Sequence, residues 1–412
     1  MKKNTAGLLV AISVYAFALG FLWNTLNPLV IPYLVNKMEP ELKNSYLGLI
    51  SATGLALAMV IQPLAGGLSD RSRSRWGRRR PYIVAGTLGD LVFLAIMALA
   101  GNFWVLFGGY CLLQLSSNMA HGPYQGFIPD LVPEDKKGLA SGIKGLVELL
   151  GIVIGSAIIG NLLGRDQPAL AIGLMGAVLL VTMLITAVAV REKAPVEDAS
   201  SAAVPPLTLS SMIAALRSHR VFAWFILSRF LILAGLAAVR TFAQNYLQDV
   251  LKAPNPAAQT GQMMTILGLA VLLVILPAGF LADKVGRKRI NLFSVLLGAV
   301  GTTLMLTVGT YNELVIYGAV VGIAVGIFYS ANWALAMDLI PAAEAALFLG
   351  LTNLATAGAG AFAGAFGPMI DVVNRTSPGL GYRIVFALAA ILWLLGGVII
   401  LRFIRSDTAP HR

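Results

Sequence analysis

Apolar residues run in blocks of about 20 separated by polar connections along nearly the whole chain, the pattern of helices that cross a bilayer. Windows of that length fall near 6–35, 45–66, 81–100, 103–129, 138–163, 168–190, 221–247, 260–282, 289–309, 313–339, 345–371 and 382–404. They predict twelve spans. The connections are short except for Arg191 to Arg220, which carries Pro195, Pro205, Pro206 and an Ala/Ser run. Leu209, Met212, Ile213 and Leu216 then recur at helical spacing, so the segment reads as a flexible linker ending in a surface-lying helix. The chain therefore divides into an N-terminal six-helix bundle (1–190), a cytoplasmic linker (191–220) and a C-terminal six-helix bundle (221–412). The predicted fold is an all-α polytopic membrane protein, with twelve transmembrane helices in two pseudo-symmetric bundles.

Composition agrees with the pattern. The 412 residues are 58% hydrophobic and 12% charged, with mean hydropathy +0.81, more apolar surface than a water-soluble domain can hide. The net charge of +11 would suit nucleic acid, but the basic residues lie in loops between spans, where topology accounts for them. With the N-terminus inside, roughly 21 of the 30 Lys and Arg fall on the cytoplasmic side, about 6 outside and about 3 within spans. Both termini are expected in the cytoplasm, in a plasma or bacterial inner membrane. Met1-Lys2-Lys3 and the apolar run after it imitate a signal peptide, yet the run continues to Val35 and reads as an uncleaved span. Cys111 is the only cysteine and falls inside a span, so no intrachain disulfide forms.

A repeat links the two halves. Gln62 to Pro81, QPLAGGLSDRSRSRWGRRRP, packs six arginines and Asp70 into one connection. A second copy, Gly279 to Arg289, places Asp283 at an offset of 213 and ends in Arg287-Lys288-Arg289. Tyr33 matches Tyr246 at the same offset, and Asp130-Leu-Val-Pro133 matches Asp338-Leu-Ile-Pro341 at 208. Gly151 and Gly155 on span 5 find counterparts in Gly360 and Gly364 on span 11, small faces that let helices approach closely. Two matched basic turns in two sets of spans point to the repeated bundle of a transporter.

These paired turns resemble the signature of the major facilitator superfamily. The first copy, SDRSRSRWGRRRP, with Asn118-Met-Ala-His-Gly122-Pro123 and Asp130-Leu131 on span 4, is similar to the sucrose/proton symporters and their glycoside–cation symporter relatives. The resemblance implies the major facilitator fold, alternating access, and a central cavity lined by spans 1, 4, 7 and 10. It also implies a gating role for Gly66, Asp70, Arg71, Gly77, Arg78, Asp130, Asp283, Gly286, Arg287 and Asp338. The chain departs from the plant carriers at two places: Gln114 stands where they hold a titrating aspartate, and Gln125 where they hold a sugar-binding arginine. A glutamine neither gains nor loses a proton near neutral pH, so that coupling device is absent from its usual place.

Polar residues inside the spans supply the candidate chemistry. Gln114, Asn118, His121 and Gln125 recur at spacings of 4, 3 and 4, on one face of span 4. Span 1 adds Asn24 and Asn27, span 7 Arg229 and Arg240, span 10 Tyr329, Asn332 and Trp333, and span 11 Asn353. Amides, an aromatic ring and arginines suit a hydroxylated solute; each residue alone could equally be interhelical glue. Lys144 and Glu148 sit one turn apart on span 5, either neutralising one another or leaving Glu148 to carry a proton; Arg229 is an alternative partner for Glu148. His121 is the second proton-carrying candidate, and Asp90 in span 3 reads as a structural hydrogen-bonding group.

There is no Walker loop, HExxH, CxxC pair or nucleophile elbow, so no enzyme, cofactor or metal is expected. The expectation is a secondary transporter of a sugar or glycoside, coupled to protons; a uniporter or exporter of another small solute, or a non-transporting receptor, is the alternative. Its expected partners are a sugar-like small molecule, protons and the lipid bilayer, without nucleic acid, and the chain is expected to act as a monomer.

Overall fold

The computed structural model describes residues 3–192, 209–340 and 345–404. Its regular structure is helical, with no strand among the described residues. In the first half, α1 (Lys3–Thr25) passes through one π-helical turn (Leu26–Val30) into α2 (Ile31–Met38). Pro28 and Pro32 each remove a backbone N–H there, so the chain widens by a residue instead of breaking. Next come α3 (Lys43–Asp70), α4 (Arg80–Ala98), α5 (Phe103–Gln125), its short continuation α6 (Phe127–Leu131), α7 (Lys137–Gly164) and α8 (Pro168–Ala189). The predicted linker falls largely on residues outside the described set, and α9 (Leu209–Ser218) is the helix expected after it. The second half has α10 (Arg220–Asp249), α11 (Pro256–Val285), α12 (Arg287–Leu304), α13 (Tyr311–Leu339), α14 (Ala345–Gly364), α15 (Phe366–Thr376) and α16 (Leu380–Phe403).

Eleven helical stretches of the described residues are long and apolar enough to cross a membrane. The remaining predicted span is α5. It has the length, but Gln114, Ser116, Ser117, Asn118, His121 and Gln125 dilute its hydropathy. These side chains have hydrogen bonds to satisfy, which a lipid-facing helix could not supply.

Two compact units emerge, Met1–Ala203 with Asn255–Thr265, and Val204–Pro254 with Ile266–Arg412. The start of α11 counts with the first unit because Asn255 Nδ2 donates to the Gly164 carbonyl (2.9 Å) and Thr265 Oγ1 to that of Val153 (3.4 Å).

Within each unit the same neighbours recur. In the first, α1 packs on α7 and α8, and α4 on α5 and α8. In the second, α10 packs on α14 and α16, and α12 on α13 and α16. Small residues set the closest of these approaches: a Cβ on Gly151 of α7 would fall 2.3 Å from the Phe17 carbonyl oxygen of α1. The two basic turns share a backbone device as well. Gly77 (φ 106°) and Gly286 (φ 107°) hold the same left-handed bend just before α4 and α12, a conformation strained for any residue with a Cβ.

Candidate functional site

The stripe predicted on α5 is one helical face, and its members sort into two groups. Asn118 Nδ2 donates to Gln114 Oε1 (3.0 Å), Gln114 Nε2 to Tyr110 Oη (2.8 Å), and Tyr110 Oη to Asn27 Oδ1 (2.9 Å). Three turns of α5 are thereby tied to the π-turn of the first span. Gln114 and Asn118 are buried. Tyr110, four residues before Gln114, belongs to this run although the sequence reading missed it; extending the i, i+4 spacing one step back would have found it. Asn24 turns its amide to the Gly20 carbonyl (3.2 Å).

The second group surrounds His121, whose ring nitrogens face Gln62 Nε2 (3.4 Å) and Gln125 Nε2 (3.3 Å). Gln125 is exposed. The Lys144 ammonium lies 5.2 Å above the Tyr124 ring, a cation–π contact, and closes no ion pair with Glu148. The expected neutralising pair on α7 is therefore not formed as a salt bridge, because the lysine reaches for the aromatic face of α5. Tyr124 itself donates to the Ile12 carbonyl (2.8 Å), which fixes the ring. Asp90 accepts from Ser116 of α5 and is fully buried, as a structural hydrogen-bonding group would be.

The basic turn of the first unit is an ion-pair cluster. Asp130 receives Arg78 Nη2 and Arg79 Nε, each at 2.6 Å, and Asp70 receives Arg79 Nη2 at 3.0 Å. Burial alone would push the Asp130 carboxyl up, but the hydrogen bonds and charge of Arg79 and Arg78 hold it below the usual carboxylate range. Glu192 was not anticipated. Its carboxylate accepts the backbone N–H groups of Arg78, Arg79 and Arg80, satisfying the first donors of α4. In the second unit Arg287 alone bridges Asp283 (3.2 Å) and Asp338. Of the expected gating residues, Arg71 makes no side-chain bond among the described residues, and Gly66 lies 4.0 Å from Gly122 where α3 crosses α5, measured from a built Cβ. Away from these turns, Tyr33 and Lys37 both donate to Asp166, whereas Tyr246 donates to the Val308 carbonyl, so the tyrosine repeat does not extend to bonding.

In the second unit Arg229 is buried on α10. Its guanidinium donates to Asn332 Oδ1 of α13 and, at 3.4 Å, to Thr356 Oγ1 of α14. Thr356 was missed from sequence because a threonine on an alanine- and glycine-rich span resembles packing. Tyr329 is an electrostatic neighbour of Arg229 and of Arg240, and Tyr329, Trp333 and Asn353 are exposed. No cluster of metal-ligating side chains occurs among the described residues.

Several known proteins are similar to this chain. The "Sucrose transport protein SUC4" of Arabidopsis thaliana is 27% identical over 174 residues, 38% of this chain and 34% of that protein. The "Multidrug resistance protein MdtG" of Serratia proteamaculans (strain 568) is 24% identical over 402 residues, covering 92% of this chain and 90% of the other. A crystal structure of the nucleoside transporter NupG superposes with a TM-score of 0.76 at 15% identity, over 97% of this chain and 100% of that one, which shows a shared fold. The family model of the Major Facilitator Superfamily matches residues 10–363 and again 250–412, and the chain belongs to that superfamily of transporters.

Proposed function

We propose that the chain is a secondary transporter that moves a sugar-like, hydroxylated solute by alternating access, with Glu148 as the proton carrier. The observation that carries the reading is the run Asn118–Gln114–Tyr110–Asn27. It places neutral amide and phenol groups, rather than an apolar lining, on the helix that the resemblance puts beside the cavity. Hydroxyl groups exchange hydrogen bonds with such partners in either direction, so binding and release need not strand a charge. The plant sucrose transport protein supports this reading through its match to part of the chain.

In this proposal the basic turns lie on the cytoplasmic side with both termini, and the Arg79 and Arg287 clusters hold the inner ends of the helices within each half. Gating then requires these clusters to loosen as the inner end opens. Export of another small solute is the second reading, favoured by the likeness to MdtG across 92% of the chain.

Uptake of labelled sugars into proteoliposomes, with and without an imposed pH gradient, tests the proposal. Accumulation of one sugar driven by an inward proton gradient is the expected result. Proton-stimulated efflux of a non-sugar with no sugar uptake would replace the first reading by the second.

A further inference from the structure

Among the described residues, Arg229 is a buried cation without a carboxylate partner. It is 5% exposed, and its two hydrogen-bond partners among the described residues, Asn332 Oδ1 and Thr356 Oγ1, are neutral. No carboxylate pairs with it among the described residues. Asp283 and Asp338 are held by Arg287, Asp249 accepts from Tyr382, and Glu313 caps the start of its own helix. Removing a guanidinium from water is costly unless an anion or a full set of acceptors replaces the solvent. That replacement is incomplete here: among the described residues Nε of Arg229 has no acceptor.

The neighbouring groups show the same one-sided deficit. Asn332 gives its side-chain oxygen to Arg229, and its Nδ2, on a residue with 0% exposure, donates to no group among the described residues. Thr356 spends its proton on the Thr352 carbonyl (3.1 Å), so toward the arginine it offers a lone pair only. The leftover capacity at the meeting of α10, α13 and α14 is therefore a positive charge and the donor nitrogens Nε of Arg229 and Nδ2 of Asn332. A neutral hydroxylated ligand would bring donors as well as acceptors and leave the charge unanswered. An oxyanion brings acceptor oxygens and the missing charge together, and the planar guanidinium fork matches carboxylate and phosphate geometry. Thr356 is exposed, which gives such a group a way to the guanidinium.

We propose that Arg229 and Asn332 form an oxyanion-binding site, so that the transported solute is a hydroxylated molecule bearing a carboxylate or a phosphate ester. This rests on the transporter reading above and narrows its substrate to an anionic class. In the resting protein Asn332 and Thr356 hold the guanidinium; on binding, the solute's oxyanion takes the free Nε and the free amide of Asn332.

The test compares matched pairs that differ in charge: gluconate against sorbitol, and glucose 6-phosphate against glucose, with inorganic phosphate as a probe lacking any polyol body. Thermal stabilisation of the purified full chain in nanodiscs reads binding at constant ionic strength. The charged member of at least one pair is expected to bind roughly tenfold or more tightly than its neutral counterpart, as a charge-assisted hydrogen bond allows. Arg229→Gln should erase that preference and Arg229→Lys should keep part of it. Equal or tighter binding of the neutral members in the parent overturns the oxyanion site and leaves the sugar reading standing. Stabilisation by phosphate alone, lost in Arg229→Gln, keeps the site and overturns the sugar reading. No response to any anion overturns the site outright, and this comparison needs only the parent should Arg229→Gln fail to fold.

Discussion

The carboxylate of Glu192 accepts the backbone N–H of Arg79 at 2.9 Å across 113 residues of chain. The same carboxylate takes the amides of Arg78 and Arg80, so one side chain after α8 caps the start of α4. An anion at that position also answers the positive end of the helix and the arginine block around it. Removing it should cost about 1–2 kcal/mol, the worth of a good helix cap with its charge. Thermal unfolding in detergent should therefore rank the parent above Glu192→Gln and Glu192→Gln above Glu192→Ala. If Glu192→Ala melts with the parent, the cap is ornamental.

Asp130 ties the end of α6 to Arg78 and Arg79, and its effect on stability has a defined sign. The folded state lowers its carboxyl below the ordinary value. Its contribution is then fully present above the unfolded value of about 4, and is lost as pH falls through the lower folded one. The parent should lose thermal stability between neutral pH and pH about 3 more steeply than Asp130→Asn, which has nothing left to protonate there. Parallel curves for the two proteins would show that Asp130 carries no such linkage. The residue is partly exposed, so solvent screens the effect.

The helices were legible because lipid enforces long apolar windows and sharp polar ends; α3, α4, α7, α8 and α10 begin and end within a few residues of the windows. The repeat was legible because Asp70 and Asp283, or Asp130 and Asp338, sit in short exact motifs. Partners across the fold were not. Nothing local to Glu192 says that it folds back onto Arg79, and nothing local to Lys144 says that it prefers the Tyr124 ring to Glu148 one turn away. Such choices depend on which helix faces which, information that a periodicity does not hold.

The α5 stripe predicts a split between its two groups. Asn118→Leu leaves the Gln114 side-chain oxygen without its donor and removes the last member of the run, so it should lower stability by about 1–3 kcal/mol and weaken solute binding. Tyr110→Phe removes the hydroxyl that joins Gln114 to Asn27 and should do the same more mildly. Gln125 is exposed and its side chain bonds His121, so Gln125→Leu should alter binding with little effect on unfolding. Paired melting and binding curves check this. Indistinguishable behaviour of Asn118→Leu and the parent would show that the run is passive packing.

Coupling is where this chain departs furthest from the proteins it resembles, because Gln114 cannot titrate. Glu148 can. It sits on α7 packed closely against α1, where a Cβ on Gly20 would fall 2.3 Å from the Glu148 carbonyl oxygen. Lys144 is close enough to act on Glu148 electrostatically but is held over the Tyr124 ring rather than locked to the carboxylate. Tyr124 faces both residues, and His121 feels the charge of Lys144. A proton arriving on Glu148 therefore changes the charge seen by this cluster without first breaking a salt bridge, and the cluster joins α7 to α5. Coupling needs the two charge states of Glu148 to favour different arrangements of these helices. Glu148→Gln fixes the neutral state, so it should abolish accumulation driven by a pH gradient while retaining exchange of solute down its own gradient. Lys144→Met, which removes the cation but leaves the carboxylate, should shift the pH dependence of accumulation rather than remove it. Gradient-driven accumulation that survives in Glu148→Gln would move the proton carrier elsewhere, with His121 next to be replaced.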